Sequence, residues 1–384
     1  MKRKVCVVVT ARPSYSRIKS ALRSILEHPG LELQLVVAAS AILDRYGNTH
    51  RLIEQDGFTI HARVYMVVEG ENLPTMAKTT GLGLMELATV FDNLKPDVVV
   101  TIADRYETIA TAIAAAYMNL PLVHIQGGEV TGSVDEKVRH AITKLADAHF
   151  VATEGAARRV IRMGEDPARV HVTGCPSIDL AAAVRRSPAL DFDPFEKYGG
   201  VGILDHLTGG YLVVLQHPVT TEYDASRLHI EETCQAILAL RQPTLWFWPN
   251  VDAGSDGTSN GLRAFRERYQ PSFVHFFKNM DGQDFLRLLC QSRCLVGNSS
   301  AGIREGSFLG VPVVNIGSRQ AGRERGPNVR DVPYDRRAIQ QAIEDQLAHG
   351  PYPSDPTYGQ GDAGRRIAEK LAAMPLSFEK RLAY

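Results

Sequence analysis

Short apolar runs alternate with longer amphipathic stretches from one end of the chain to the other. In the first half, Val5 to Thr10, Leu33 to Ala39, Asp97 to Ile102, Leu122 to Ile125 and Phe150 to Ala152 read as strands. Between them, Tyr15 to Leu26, Leu73 to Leu94, Thr108 to Met118, Val134 to Ala146 and Glu154 to Met163 carry helical spacing. The strands are unbroken Val/Ile-rich runs, not polar–apolar alternations, which marks a parallel sheet covered by helices on both faces. The rhythm stops between Arg186 and Gly210, where Pro188, Pro194, Gly199, Gly200, Gly209 and Gly210 cluster. It then resumes, with strands at Tyr211–Leu215, Leu245–Trp248, Phe273–Phe277, Cys294–Val296 and Val313–Ile316. Helices are expected at Ala225–Leu240, Asp335–Ala348 and Gly364–Ala373. The chain is therefore expected to be α/β, with two doubly wound Rossmann-like domains. These are an N-terminal domain over 1–185, a linker region over 186–210, a C-terminal domain over 211–360, and a C-terminal helix and tail over 361–384.

Ligands of open α/β sheets bind beyond the carboxyl ends of the strands, so the polar residues there are the candidates. Gly297-Asn298-Ser299-Ser300-Ala301-Gly302-Ile303-Arg304-Glu305 follows the Cys294–Val296 strand and opens a helix that runs to Phe308-Leu309-Gly310. Small residues there let an anion approach free backbone N–H groups, and Ser299 and Ser300 add hydroxyl donors. Glu305, a turn later, is placed to accept from ribose hydroxyls. The competing reading of this turn is plain N-capping.

Five further strand ends carry candidates. Arg12 follows the first strand, either as a bidentate donor to phosphate or carboxylate or as a surface arginine beside a helix cap. Asp104 follows Ile102, either as a helix cap or as a site carboxylate. Gln126-Gly127-Gly128-Glu129 follows Ile125, and Asp135 and Arg139 share one face of the next helix, as a site pair or a surface ion pair. His217 ends the Tyr211–Leu215 strand beside Pro218, as a general acid, a phosphate holder or a structural histidine. The polar loop Gly317 to Glu324, with Arg319, follows the Val313–Ile316 strand, either completing a nucleotide pocket or as a solvated loop.

Composition narrows the picture. The 384 residues carry 43 basic and 43 acidic side chains, so net charge gives no reason to expect a nucleic-acid or membrane partner. No apolar run reaches the roughly 18 to 20 residues of a membrane helix. Five scattered cysteines, with no CxxC pair, point to reduced thiols in a cytoplasmic protein and to no metal site. No Gly-x-Gly-x-x-Gly supports a nicotinamide or flavin site.

Taken together, the motifs resemble the hydrolysing UDP-N-acetylglucosamine 2-epimerases of sialic and legionaminic acid synthesis. The stretches that carry the resemblance are Gly128-Glu129-Val130-Thr131-Gly132, Arg139 to Leu145, Gly174-Cys175-Pro176-Ser177, Gln216 to Thr220 and Gly297 to Glu305. The resemblance spans roughly Val5 to Val332. It implies a glycosyltransferase-B-like fold with the active site in the interdomain cleft, a UDP-sugar substrate, no metal or cofactor, and a homodimer or homotetramer. The family reaction removes the C2 proton, expels UDP in an anti elimination to a 2-acetamidoglycal, and adds water to release N-acetylmannosamine. The family's acids fall on Asp104 and Asp135, its arginine on Arg139 and its ribose carboxylate on Glu305. Arg12, His217 and the Ser299/Ser300 turn are expected to steady the departing diphosphate. A third family acid falls on Gln126, which is a departure: Gln126 only binds, or Glu129 replaces the acid, or the sugar differs. The alternatives are the same chemistry on UDP-2,4-diacetamido-2,4,6-trideoxyglucose, a transferase of the same fold, or a binding protein.

Overall fold

The computed structural model describes residues 1–44, 48–69, 73–102, 105–130, 134–207, 209–219, 221–249 and 255–383, without the side chains of Leu73, Val134, Asp135 and Ser255. The chain divides into two compact units. The first comprises Met1–Glu129, Val134–Asp179 and Tyr358–Tyr384; the second comprises Val130–Ser133 and Leu180–Thr357.

The first unit runs β1 (Arg3–Val9), α1 (Arg12–Glu27), β2 (Leu31–Ala38), α2 (Thr49–Gln55), β3 (Ile60–Val64), α3 (Leu73–Leu94), β4 (Val98–Ile102) and α4 (Thr108–Tyr117). It continues with β5 (Leu122–Ile125), α5 (Val134–Leu145), β6 (Ala148–Val151), α6 (Glu154–Arg162), β7 (Val170–Val172) and α7 (Pro176–Arg186), which leads into the second unit. Among the described residues the strands form one parallel sheet in the order β3-β2-β1-β4-β5-β6-β7. β1 shows why the strands are apolar throughout. Val5, Val7 and Val9 face a core built with Tyr15, Ile18 and Leu22 of α1, while Cys6 and Val8 face the opposite core with Leu87, Phe91 and Ala114. The chain order reverses between β1 and β4, and the Arg12 turn lies at that switch point.

The second unit runs α8 (Pro194–Tyr198), β8 (Val201–Gly202), β9 (Leu212–Leu215), α9 (Ser226–Leu240), β10 (Thr244–Phe247), α10 (Ser255–Tyr269), β11 (Val274–Phe277) and α11 (Gly282–Gln291). Then come β12 (Cys294–Gly297), α12 (Ser300–Ile303), α13 (Glu305–Leu309), β13 (Val313–Ile316), β14 (Val329–Val332) and α14 (Arg336–His349). The strand order is β14-β13-β12-β9-β10-β11-β8, parallel except where β8 meets β11. Here the switch lies between β9 and β12. Trp246, Phe276 and Val214 form the core with Ile230, Ile237, Phe265 and Ile343 from the covering helices.

Two segments differ from the expected layout. The stretch read as a linker carries α8 and β8, and both belong to the second unit: Lys197 and Tyr198 bond to Asp284, and the His275 ring meets the carbonyls of Gly199 and Leu204. The last helix, α15 (Ala363–Ala373), joins the first unit, with Ile367, Ala368 and Leu371 in the core beneath α1. Its start is held by Asp179 of α7, whose carboxylate accepts from the N–H groups of Ala363 at 2.8 Å and Gly364 at 2.7 Å. All five cysteines are free thiols, and no helix among the described residues is long and apolar enough to cross a membrane.

Candidate active site

In the second unit the candidates gather at the switch point. β9 and β12 are neighbours, with Leu215 in register with Gly297. Gly297 adopts φ 134°, and a Cβ there would lie 2.2 Å from the Leu215 carbonyl oxygen, so the strands can be this close only at a glycine. The next residue, Asn298, is fully buried and ties the two strand ends together: Oδ1 accepts from the His217 N–H at 2.7 Å, and Nδ2 donates to the His217 carbonyl at 2.8 Å. The Asn298 carbonyl accepts from Arg319 Nη1 at 3.2 Å and Gln320 Nε2 at 2.9 Å, which draws the loop after β13 onto the same point.

The helix start here is shorter than expected. Ser299 caps α12 by accepting from the Ala301 N–H at 3.3 Å, but α12 ends after Ile303, and Arg304 (φ −94°, ψ −77°) breaks it from α13. Gly302 lies against Val313 and Leu295, where a Cβ would come within 3.0 Å of both side chains. A single turn carries little macrodipole. What the turn can offer an anion is therefore individual donors, the Ser300 hydroxyl and backbone N–H groups, more than a helix field. Glu305 begins α13, and its Oε2 is buried with no hydrogen-bond partner among the described residues. Such an oxygen calls for a donor.

Burial, assisted by the Arg319 charge, holds the His217 imidazole down to about 3. The ring is therefore neutral at physiological pH. It offers a hydrogen-bond donor or acceptor but no full positive charge.

In the first unit the loop after β5 carries the candidates. Gln126 is buried and sits at φ 67°, a left-handed conformation that side-chain-bearing residues seldom adopt. Its Nε2 donates to Cys175 Sγ at 3.0 Å, and Cys175 Sγ lies 3.0 Å from Ser177 Oγ. Gln126 Oε1 is buried without a partner among the described residues. Gly128, at φ 75°, presses on α6, where a Cβ would lie 2.4 Å from the Ala156 carbonyl oxygen. Two arginines hold the loop: Arg159 Nη1 donates to the Gly128 carbonyl at 2.8 Å, and Arg139 Nη1 to the Glu129 carbonyl at 2.7 Å. Glu129 and Arg139 are both buried.

Arg12 is the first residue of α1 and is half-buried. Asp104 lies outside the described residues. Asp135 lies in the first turn of α5, four residues before Arg139, and its side chain is outside the described set. Sequence reasoning missed three participants. Cys175 and Ser177 orient the Gln126 amide, and their only signal was membership of the Gly-Cys-Pro-Ser stretch. Gln320 was passed over beside Arg319 because nothing in the loop marks which polar side chain turns inward.

Comparisons with known proteins bear on this arrangement. A family model described as UDP-N-acetylglucosamine 2-epimerase matches residues 23–372. The chain is 32% identical over 382 residues to a UDP-N,N'-diacetylbacillosamine 2-epimerase (hydrolyzing) of Legionella pneumophila, covering 98% of this chain and 97% of that one. It is 31% identical over 372 residues to a UDP-N-acetylglucosamine 2-epimerase of Neisseria meningitidis, covering 97% and 94%. The UDP-GlcNAc 2-epimerase of Methanocaldococcus jannaschii, solved in complex with UDP-GlcNAc and UDP, shares the glycosyltransferase-B-like fold. Its TM-score is 0.78 at 17% identity, over 96% of this chain and 99% of that one. Because the match from residue 23 to residue 372 takes in nearly all of both sheets, the chain belongs to the UDP-N-acetylglucosamine 2-epimerase family.

Proposed function

We propose that the chain is a hydrolysing 2-epimerase of a UDP-linked 2-acetamido sugar, with UDP-N-acetylglucosamine as the first substrate to test. The observation that carries this reading is the second sheet's switch point. There Asn298 holds the β9 and β12 loops together, and the turn that follows leads to Glu305, whose Oε2 is buried with no partner among the described residues. That combination suits a diphosphate next to a ribose. The name of the Legionella relative supports the hydrolysing outcome.

In this reading the C2–H bond breaks as a carboxylate takes the proton, the C1–C2 double bond forms, and the C1–O bond to UDP breaks on the opposite face. Water then adds its hydroxyl to C1, and a proton returns to the other face of C2. Asp104 and Asp135 handle these protons. Arg12 supplies charge, and the neutral His217 ring and Ser300 supply hydrogen bonds, to the departing diphosphate. Arg319 braces that site from its loop, and Glu305 accepts from the ribose hydroxyls. Arg139 holds the Glu129 loop in place, and Gln126 binds the sugar and moves no proton.

The second substrate reading is the 2,4-diacetamido-2,4,6-trideoxy sugar nucleotide, favoured by the neutral Gln126 and by the name of the Legionella relative. Incubating the protein with each sugar nucleotide and separating the neutral products tests both. Free N-acetylmannosamine or its 4-acetamido-6-deoxy counterpart, equimolar with UDP, supports the proposal. A UDP-linked mannosamine product, or free sugar of unchanged configuration, counts against it.

A further inference from the structure

The C-terminal tail reaches across the first unit to a helix that carries proposed active-site residues. Lys380 lies 235 positions beyond the end of α5 (380 − 145), yet its ammonium donates to the Thr143 carbonyl at 2.9 Å and the Ala146 carbonyl at 2.5 Å. The last carbonyls of an α-helix have no partner within the helix, and a cation there is favoured by the helix dipole. Lys380 therefore acts as a cap supplied from far along the chain. Its third partner is Glu165 Oε2 at 2.6 Å.

Glu165 is a buried junction. It also accepts from Lys144 of α5 at 2.6 Å and faces the His149 ring at 2.9 Å. Burial favours its neutral form, but hydrogen bonds from His149, Lys144 and Lys380 outweigh this and hold its carboxyl down at about 2. Asp147 and Lys144 are the other charged groups whose fields act on Lys380. A backbone bond from the Ala383 N–H to the Gly164 carbonyl, at 3.0 Å, seats the tail beyond Lys380.

Thr143 is the link from this cap to the chemistry. It is fully buried, its hydroxyl donates to the Arg139 carbonyl at 3.1 Å, and it lies 3.3 Å from His124 Nδ1 on β5. A Cβ on Gly127 would meet these same two side chains, at 2.9 Å from His124 Nδ1 and 3.1 Å from Thr143 Oγ1. The residue gripped by the tail is thus the one that seats α5 beneath the Gln126–Glu129 loop and one turn from Arg139.

We propose that Lys380 is a positioning residue for the reaction: by capping α5 from the C-terminal tail it sets the helix that bears Arg139 and Asp135 against the Gln126–Glu129 loop. This rests on the function proposed above. The role is expected to show in turnover more than in nucleotide affinity, because the nucleotide-binding candidates other than Arg12, namely His217, Gly297 to Glu305 and Arg319, lie on the other sheet.

The full-length protein and its Lys380→Met and Lys380→Arg variants test this by two readouts, turnover of the UDP-sugar and amide hydrogen exchange. Lys380→Met should lower kcat by about tenfold or more, the range seen when an active-site constellation is slightly misplaced. UDP affinity should stay within about twofold, with faster exchange in α5 and residues 126–129 but not in α14. Lys380→Arg, which keeps the charge and its donors, should recover most of the turnover. Unchanged kcat with unchanged exchange in α5 would overturn the proposal. So would a uniform loss of exchange protection with parallel loss of UDP binding and no rescue by arginine. If the unsubstituted protein turns over neither sugar nucleotide, the functional reading fails by itself, and the exchange pattern still decides whether Lys380 seats α5.

Discussion

Asn298 makes two hydrogen bonds to the backbone of His217, 81 residues earlier, accepting from its N–H at 2.7 Å and donating to its carbonyl at 2.8 Å. One buried amide thereby takes the place of a strand-to-strand backbone pair where β9 and β12 end and their loops diverge. The Asn298 carbonyl gathers Arg319 and Gln320 from a third loop. The proposed diphosphate site depends on this residue holding three loops at once, although its side chain is turned inward.

Asn298→Ala leaves a buried N–H and a buried carbonyl without partners. It should cost about 1–3 kcal/mol of stability, the penalty of an unsatisfied buried polar group, and weaken UDP binding. Urea unfolding and calorimetric titration with UDP check both. Full stability in the variant would show that the pair is replaceable by water.

Glu305→Ala should remove the acceptor proposed for the ribose hydroxyls. A hydrogen bond to a charged group contributes about 1.5–3 kcal/mol, so UDP affinity should fall by roughly tenfold or more. The preference for UDP over 2',3'-dideoxy-UDP should vanish with it. A variant that still discriminates between the two nucleotides would place the ribose elsewhere.

The histidine His217 gives the stability a pH dependence. Its folded value is held at about 3 by burial and by Arg319, against an unfolded value of roughly 6.5. Between those values the unfolded chain binds a proton that the folded chain does not. Stability is therefore highest above the upper value and falls as the pH drops through this window, by about 1.4 kcal/mol per pH unit for one such group. Burial lowers His149 in the same direction and raises Asp147 and Asp179 in the opposite one, so the contribution of His217 is read from the difference between the protein and its variant. His217→Gln should reduce the slope between pH 4 and 6 by close to one proton, measured by urea unfolding across that range. An unchanged slope would mean that His217 is charged in the folded protein.

The acids divide by role. Asp104→Asn and Asp135→Asn should each lower turnover by about 10²–10⁴, the contribution of a positioned acid or base, and leave UDP affinity nearly intact. Glu129→Gln should be equally damaging only if Glu129 replaces the acid absent at Gln126. Modest loss in that variant would leave Glu129 as a buried element of the loop that Arg139 holds.

Much of this architecture is written in the chain, and the parts that are not share a physical cause. Interior strands such as β1, β4, β9 and β12 are buried on both faces and announce themselves as apolar runs. The rim strands β3, β8 and β14 are half-exposed, and Ile-His-Ala-Arg-Val or Val-Arg-Asp-Val has too little apolar continuity to mark a strand. The Gly297–Glu305 stretch was legible as a strand, turn and helix start, but nothing local foretells the break at Arg304. Long-range contacts left no trace. The polar amide of Asn298 reads as a turn residue, and Lys380 reads as a tail charge, until the fold sets each against its distant partner. Neutral Gln126 stood out only against the family's acid, and its hold on Cys175 emerges from β5 and the start of α7 meeting.

The most direct test of the central claim is a proton NMR time course of the protein with UDP-N-acetylglucosamine in D₂O, run beside the 2,4-diacetamido sugar nucleotide. Release of UDP with a free manno-configured sugar carrying deuterium at C2 is expected from at least one of the two. Free sugar that retains its C2 proton, a UDP-linked epimer as the sole product, or no turnover of either compound would contradict it.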